Sequence, residues 1–422
     1  MDSQKSSLLV KRNKKKKKTG STTDTLLVSH SFNDLPEDIV IDILCRLPNK
    51  QLLRLASVSK PWFRLITASC FPKTVMLSEL PYLGLLFRVE TVMHHARVTF
   101  CNTDSMRVHC FGSAQLPNSC SKTLPFNVSA KSFVDCCNGL LLFCHRNRSE
   151  QASDRLYQYY VLNSFTKQLV TVPKPGKTAL NIYAALAYDP SESSYYKIIR
   201  FQGLRCLNIY YSNTKIWKTL KFQLENDVIK AKWVEQSIYY KGAIYRMSMS
   251  GHLIRFVVDE ELSLSEQAQA IDLPEVAKVS SRGCVGLNNN TIHFAVYHKP
   301  DLWIWVLENN YCQNRNAYFF QWKLKCRFSC TRIPVLENKY CIVPLAFHPT
   351  LNFFYVGTSS QWGSSLFCLK PSNEGRPREY HRVISYVHGH LNWNGVFAYP
   401  FLQCSLPFAT GLAIDQPEGV YI

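Results

Sequence analysis

Thiols and imidazoles are the side chains of this 422-residue chain that could do chemistry, and their spacing decides whether they do. Among sixteen cysteines no two stand in the C-x-x-C step of a zinc or redox site. The nearest approach, Cys326 and Cys330, reads as a pair of buried reduced thiols. His94-His95 and His388-x-His390 have no cluster of Cys, Asp or further His beside them, so they read as surface or core histidines rather than ligands. Cys136-Cys137 has no base partner that spacing identifies, and it reads as packing at a strand edge. There is no glycine-rich phosphate loop, no G-x-S-x-G elbow, no H-E-x-x-H, and no pair of carboxylates placed on one face. No metal, cofactor or catalytic residue is expected, which points to a binding protein.

The specific spacing lies near the start, in SFNDLPEDIVIDILCRLPNKQLLRLASVSKPWFRLI, residues 31 to 66. It predicts three short helices. Asp34 is the expected N-cap of the first, with Pro36 in its first turn and Glu37 completing a capping box. Leu35, Ile39, Ile43, Leu44 and Leu47 recur every three or four positions, Glu37, Asp38, Asp42 and Arg46 take other faces, and Pro48 stops the helix. Asn49 is the expected cap of a second helix carrying Leu52, Leu55, Ala56 and Ser59 on one stripe and Leu53 on another. A third joins Trp62, Leu65 and Ile66, with Pro61 tolerable only in its first turn. Apolar groups on several faces of so small a unit exceed what it can bury, so part of that surface should meet a partner or the next domain.

These residues closely resemble the F-box, the helical motif that docks substrate receptors on the Skp-type adaptor of SCF ubiquitin ligases. The match runs through Leu35-Pro36, Ile39, Ile43-Leu44, Leu47-Pro48, Leu52-Leu53, Val58 and Trp62, and closes on Leu65-Ile66. The resemblance implies that Leu35, Pro36, Ile39, Ile43, Leu47, Pro48, Leu52, Val58 and Trp62 make the adaptor-binding set, Trp62 mainly by stitching the third helix to the others. Through the adaptor it implies a cullin partner.

After Val75 the texture changes to short runs rich in Tyr, Phe, Val and Ile between Gly, Asn, Asp and Pro clusters, the pattern of many short strands. Two units recur. LAYDPSESSYYKI at 186 to 198 aligns with LAFHPTLNFFYV at 345 to 356, and VLNSFTKQLVTV at 161 to 172 matches YYSNTKIWKTL at 210 to 220. In the second pair, Asn or Ser followed by Thr predicts a tight turn held by side-chain to backbone bonds. Strand pairs repeated this way suggest propeller blades. At roughly 45 to 50 residues a blade this region holds about seven, and six also fits. Paired β-sandwiches or a β-helix would absorb the same strands.

The same stretches resemble the F-box-associated domain of plant proteins. The residues that carry the likeness are Cys137 to Leu141, Asn163 to Pro173, Tyr188-Asp189-Pro190, Tyr195 to Lys197, Tyr210 to Trp217 and Tyr240 to Tyr245. Ser164 stands where proline is usual, and beyond about residue 310 the match is loose. The expected organisation is a basic tail at 1–30, the F-box at 31–75, and a β-propeller-like domain at 76–422, mainly β with a small α domain.

The formal charge is +19. Residues 1 to 30 hold eight basic and two acidic side chains, leaving +13 on the rest. Lys14, Lys15, Lys16, Lys17 and Lys18 form a self-repelling block with nothing apolar to bury, which reads as a solvated, disordered tail or a nuclear-import signal. No stretch approaches the roughly 18 apolar residues of a membrane span, and no apolar leader opens the chain, so the nucleus, the cytoplasm or both are expected and a membrane is not.

Three functions fit. The leading one is a substrate-recognition subunit of an SCF-type ligase, held to the adaptor by the F-box and to an unknown protein substrate by propeller loops, with an acidic or phosphorylated substrate suggested by the +13. A second is a nucleic-acid-associated protein or non-ligase scaffold using the basic surface, although no nucleic-acid-binding motif is present. A third, an enzyme or lectin with a central propeller pocket, draws only on 24 Phe, 22 Tyr and 8 Trp, which a β-rich core would use anyway.

Overall fold

The two Leu-Pro pairs set where the first helices begin. α1 (Glu37–Cys45) starts from Pro36 at φ −55°, ψ 142°, and α2 (Asn49–Ala56) from Pro48 at φ −58°, ψ 143°. Each proline carbonyl accepts two backbone N–H groups of the first turn, Ile39 and Val40 in α1, Gln51 and Leu52 in α2. The cap positions are Pro36 and Pro48, neither with a side-chain cap, so Asn49, the expected cap of the second helix, is instead its first residue; Asp34, the expected cap of the first, lies outside the described residues. A proline at the cap lacks only the N–H that a cap does not use, and its ring holds φ where the chain must turn in. α3 (Lys60–Leu65) is side-chain capped, the Trp62 N–H donating to Ser59 Oγ at 3.4 Å, with Pro61 in its first turn. It runs on through a π-helical turn (Ile66–Cys70) into α4 (Phe71–Thr74).

The structure, a computed structural model, describes residues 35–74, 80–89, 97–102, 107–111, 132–146, 157–175, 183–202, 205–258, 267–279, 283–312, 317–337, 339, 341–361, 363–372, 379–386, 393, 396–404 and 408. Lys14 to Lys18, Asp34, His94-His95, His388 and His390 lie outside them.

The described strands make six four-stranded antiparallel sheets, the smaller of the two expected blade counts. Their first strands contact one another in a closed ring, so the sheets are blades around an axis. Blade two is Phe133–Cys137, Leu140–Arg146, Tyr157–Asn163 and Leu169–Thr171. Blade three is Ala184–Ala187, Lys197–Gln202, Cys206–Tyr211 and Ile216–Lys221. Blade four is Trp233–Tyr240, Ala243–Ser248, His252–Val257 and Ala268–Asp272. Blade five is Gly283–Asn288, Thr291–His298, Asp301–Cys312 and Ala317–Ser329. Blade six is Cys341–Phe347, Phe354–Ser360, Gly363–Lys370 and Glu379–Tyr386. Blade one takes Tyr82–Val89, Arg97–Asn102 and Arg107–Phe111 from one end of the propeller and its innermost strand, Val396–Leu402, from the other. That pairing closes the ring with the last of the described strands and leaves no innermost edge open among them.

Both repeated units fall at equivalent places. The Asp-Pro and His-Pro stretches are the inner hairpins of blades three and six, which face each other across the axis. Asp189 Oδ1 accepts from the Ser191 N–H at 2.8 Å, and His348 Nδ1 accepts from Thr350 and Leu351 N–H at 3.2 and 2.9 Å. An imidazole nitrogen thus does the work of a carboxylate in closing the same turn. The Thr-Lys units are the outer hairpins of blades two and three, and Lys167 and Lys215 both sit at φ 58°. In blade two Asn163 Oδ1 accepts from Phe165 and Thr166 N–H, the side-chain to backbone closure expected of that motif.

Blades two, four and five instead use two-residue inner turns, Asn138-Gly139, Lys241-Gly242 and Asn289-Asn290, all at positive φ. On this turn face neighbouring blades are tied by polar bonds. Asn138 Nδ2 donates to Tyr188 O at 2.6 Å, Tyr239 Oη to Glu192 Oε2 at 2.5 Å, Tyr240 Oη to Asn290 O at 2.6 Å, Asn289 N to Pro349 O at 2.8 Å, and Tyr82 Oη to Tyr355 Oη at 3.1 Å. The helices join the propeller through one continuous apolar cluster that runs from Val40, Leu44, Leu52 and Ile66 to Leu80, Leu140 and Ile198.

Candidate functional site

Periodicity gives α1 two apolar stripes, and the fold buries one. Val40 and Leu44 face inward at 8% and 2% exposure, while Leu35, Ile39 and Ile43, one turn apart, stay 40%, 45% and 41% exposed. Leu44 and Leu47, expected on the same stripe, do not share it, because Leu47 is half-buried against the core and Leu44 is inside it. Pro36 and Pro48 are exposed, and Val58, in the turn before α3, is 68% exposed. Trp62 is half-buried against the apolar cluster that joins the helices to the propeller. Leu52 is 0% exposed, which corrects its place in the surface set: it supports the surface from beneath. Three large aliphatic side chains in a row, Leu35 just before the Pro36 cap and Ile39 and Ile43 on α1, with no described residue covering them, are surface that water disfavours and a partner can remove.

The other place a site could lie is the propeller axis, and the protein fills most of it itself. In blade four Trp233 pairs with Ser248 but the next paired residue is Ser237, with Arg246, so Val234, Glu235 and Gln236 bulge into the channel. Glu235 crosses to the opposite blade and meets Arg88 at 2.7 Å, Gln236 Nε2 donates to Ala398 O at 2.7 Å, and Tyr399 Oη donates to Glu235 O at 3.3 Å. Beneath this plug remains a mainly apolar cavity of about 90 Å³, lined by Cys136, Cys137, Leu186, Tyr239, Leu287 and Phe347 among others. Small-molecule sites commonly start at roughly 300 Å³.

A buried carboxylate stitches the blades beside the plug. Asp135, on the innermost strand of blade two, accepts from the Leu186 N–H of blade three at 2.8 Å and the Ser237 hydroxyl of blade four at 3.3 Å, as well as from Cys136 N–H at 2.9 Å. Burial pushes its carboxyl up to about 7 despite these donors and the nearby Arg246 guanidinium. Arg246 is itself enclosed, 4.1 Å from the Tyr183 ring centre and 4.5 Å from that of Phe201.

The sign of the linkage follows. The native chain holds a proton on Asp135 between about pH 4, the ordinary carboxylate range, and about 7, whereas the unfolded chain gives it up. This contribution is complete below about pH 4 and is lost as pH rises through 7. Thermal melts of wild type should therefore decline from pH 5 to pH 8 more than those of Asp135→Asn. That variant should itself cost about 1–3 kcal/mol, because an amide turns one donor toward a backbone donor. Parallel pH profiles for the two proteins would refute the assignment.

Cys326 and Cys330 are free thiols, and burial pushes them up to about 11 and about 12, so both are neutral. Among the described residues no group of three His, Cys, Asp or Glu could hold a metal, and no helix is long and apolar enough to cross a membrane.

Comparison with known proteins matches the F-box domain at residues 32–74 and the F-box associated beta propeller domain at residues 96–342, the latter more than half of the chain. The Arabidopsis thaliana F-box protein At3g10240 is 24% identical over 66% of this chain and 69% of its own length. The F-box protein At5g07610 and the F-box/kelch-repeat protein At1g62270 of the same plant are each 30% identical, over 43% and 46% of this chain and 44% and 49% of their own. The chain thus spans about two thirds of one of these relatives and under half of the other two. On that match, and on the helices and blades that carry it, the chain belongs to the F-box proteins with an F-box-associated β-propeller.

Proposed function

We propose that this protein is the substrate-recognition subunit of an SCF-type ubiquitin ligase, docked on a Skp-type adaptor and through it on a cullin. The observation that carries the reading is the uncovered Leu35, Ile39 and Ile43 stripe, flanked by exposed Pro36, opposite the packed Val40 and Leu44 face of α1. A family match over residues 32–74 supports it. Among the described residues the propeller axis is crossed by Glu235 and Gln236, and the surface around it suits a protein substrate. Ubiquitin transfer then needs proximity from this chain: holding adaptor and substrate together raises the effective concentration of a substrate lysine at the charged enzyme.

Co-purification of a Skp-type adaptor with the full chain tests the docking. Leu35→Ala/Pro36→Ala should lose most of the adaptor, and undiminished recovery would sink the assignment.

A further inference from the structure

The outer strand of blade five departs from the rest of the ring. It is thirteen residues long, Ala317–Ser329, where the outer strands of blades two, three and four have three, six and five. Its neighbour Asp301–Cys312 pairs inward only as far as Val306, opposite His293. Outward, pairing continues for six more residues, from Leu307 with Trp322 to Cys312 with Ala317. A two-stranded ribbon about 20 Å long, at roughly 3.3 Å per residue, therefore extends past the blade on the turn face. Among the described residues no strand pairs with the outer edge.

That edge carries exposed apolar groups and one sign of charge. Phe319 is 44% and Leu324 46% exposed. The strand has three cations, Lys323, Lys325 and Arg327, and no acid. A bulge at Lys325 turns its ammonium inward, 3.0 Å from Asn352 Oδ1 and 3.1 Å from His293 Nε2. Lys323 and Arg327 stay exposed on the sheet face, each paired with an acid one strand in, Glu308 at 3.1 Å and Asp301 at 2.5 Å, and Arg327 lies 4.1 Å from the Trp303 ring centre.

An open strand edge is a row of unused backbone donors and acceptors, and edge cations decide which chain can use it. A second copy pairing antiparallel would set Lys323 and Arg327 against the same cations. The protein's own first thirty residues, with eight basic and two acidic side chains, meet the same repulsion. We infer that the outer edge of blade five binds an extended acidic segment of a partner protein by strand addition, the backbone ladder holding it and the cations selecting its sign. The inference rests on the receptor reading only in calling that partner a substrate.

Fluorescence anisotropy on the full chain tests it with a labelled peptide of about twelve residues alternating Glu with Val and Thr. Binding is expected, weakened about tenfold by Gln321→Glu/Lys323→Glu, and absent for the same peptide with Lys for Glu or with alternate amides N-methylated. Failure of the acidic peptide to bind, equal binding by either control peptide, or indifference to the double variant overturns strand addition. Adaptor recovery is scored on the same preparations. A chain that holds the adaptor but not the peptide overturns the edge alone, and one that holds the peptide but not the adaptor overturns the receptor reading alone.

Discussion

Gly139→Ala should lower the urea midpoint and the melting temperature far more than Gly242→Ala, although both occupy the second place of a two-residue inner turn. Gly139 sits at φ 88° and Gly242 at 73°, where a Cβ costs about 1–2 kcal/mol in either. Their surroundings differ. A Cβ at Gly242 meets nothing within 4 Å, whereas one at Gly139 lies 2.6 Å from Cys404 Cβ and 2.9 Å from both Cys404 N and Leu402 O. Two of those contacts are backbone atoms at the end of the strand that closes the ring, so relief requires moving the closure itself. Overpacking of this kind adds about 1–3 kcal/mol, bringing Gly139→Ala to roughly 2–5 kcal/mol against a total stability on the order of 5–15. Gly242→Asn should be nearly neutral, because blade five already has Asn290 at that place with φ 56°. Equal midpoints for Gly139→Ala and Gly242→Ala would show that the closing segment does not press on blade two.

What could be foreseen depended on how local its cause is. The Asp-Pro and His-Pro hairpins and the Thr-Lys turns are specified by a few adjacent residues, and their recurrence marked equivalent places in different blades before any blade was located. The blade count was not local. Val396–Leu402 completes blade one with a partner more than three hundred residues earlier, and only that pairing decides between six and seven. The channel plug was equally out of reach: Val234, Glu235 and Gln236 are unremarkable in a strand, and the bulge that aims them inward exists because Arg88 and Ala398 wait across the axis. In α1 the difficulty was choice. Leu35, Ile39 and Ile43 form as good an apolar stripe as Val40 and Leu44, and only the rest of the core, above all Leu52 and Ile66, selects which turns in.

That choice makes the second large effect separable into two kinds of failure. Ile39→Asp places a charge on a position already 45% exposed, with acidic Glu37 and Asp38 nearby on the first turn, where an anion is tolerated by the helix dipole. The fold should lose under about 0.5 kcal/mol. If the stripe is the adaptor contact, docking would bury that carboxylate without a partner, and affinity should fall by about a hundredfold or more, as at the centre of an interface. Leu52→Ala should do the reverse. Leu52 is fully enclosed, so truncation leaves a cavity and costs about 2–5 kcal/mol, while the outer stripe keeps its side chains. Its adaptor binding, measured well below its own melting point, should stay within a few fold of wild type. Melting curves and adaptor titration on both proteins therefore give opposite patterns, stable but unbound for Ile39→Asp, bound but less stable for Leu52→Ala. A stable Ile39→Asp that binds normally would move the docking surface off α1. A Leu52→Ala that melts with wild type would show that the helical core is not built around that side chain, and with it the reason one stripe of α1 is left facing out.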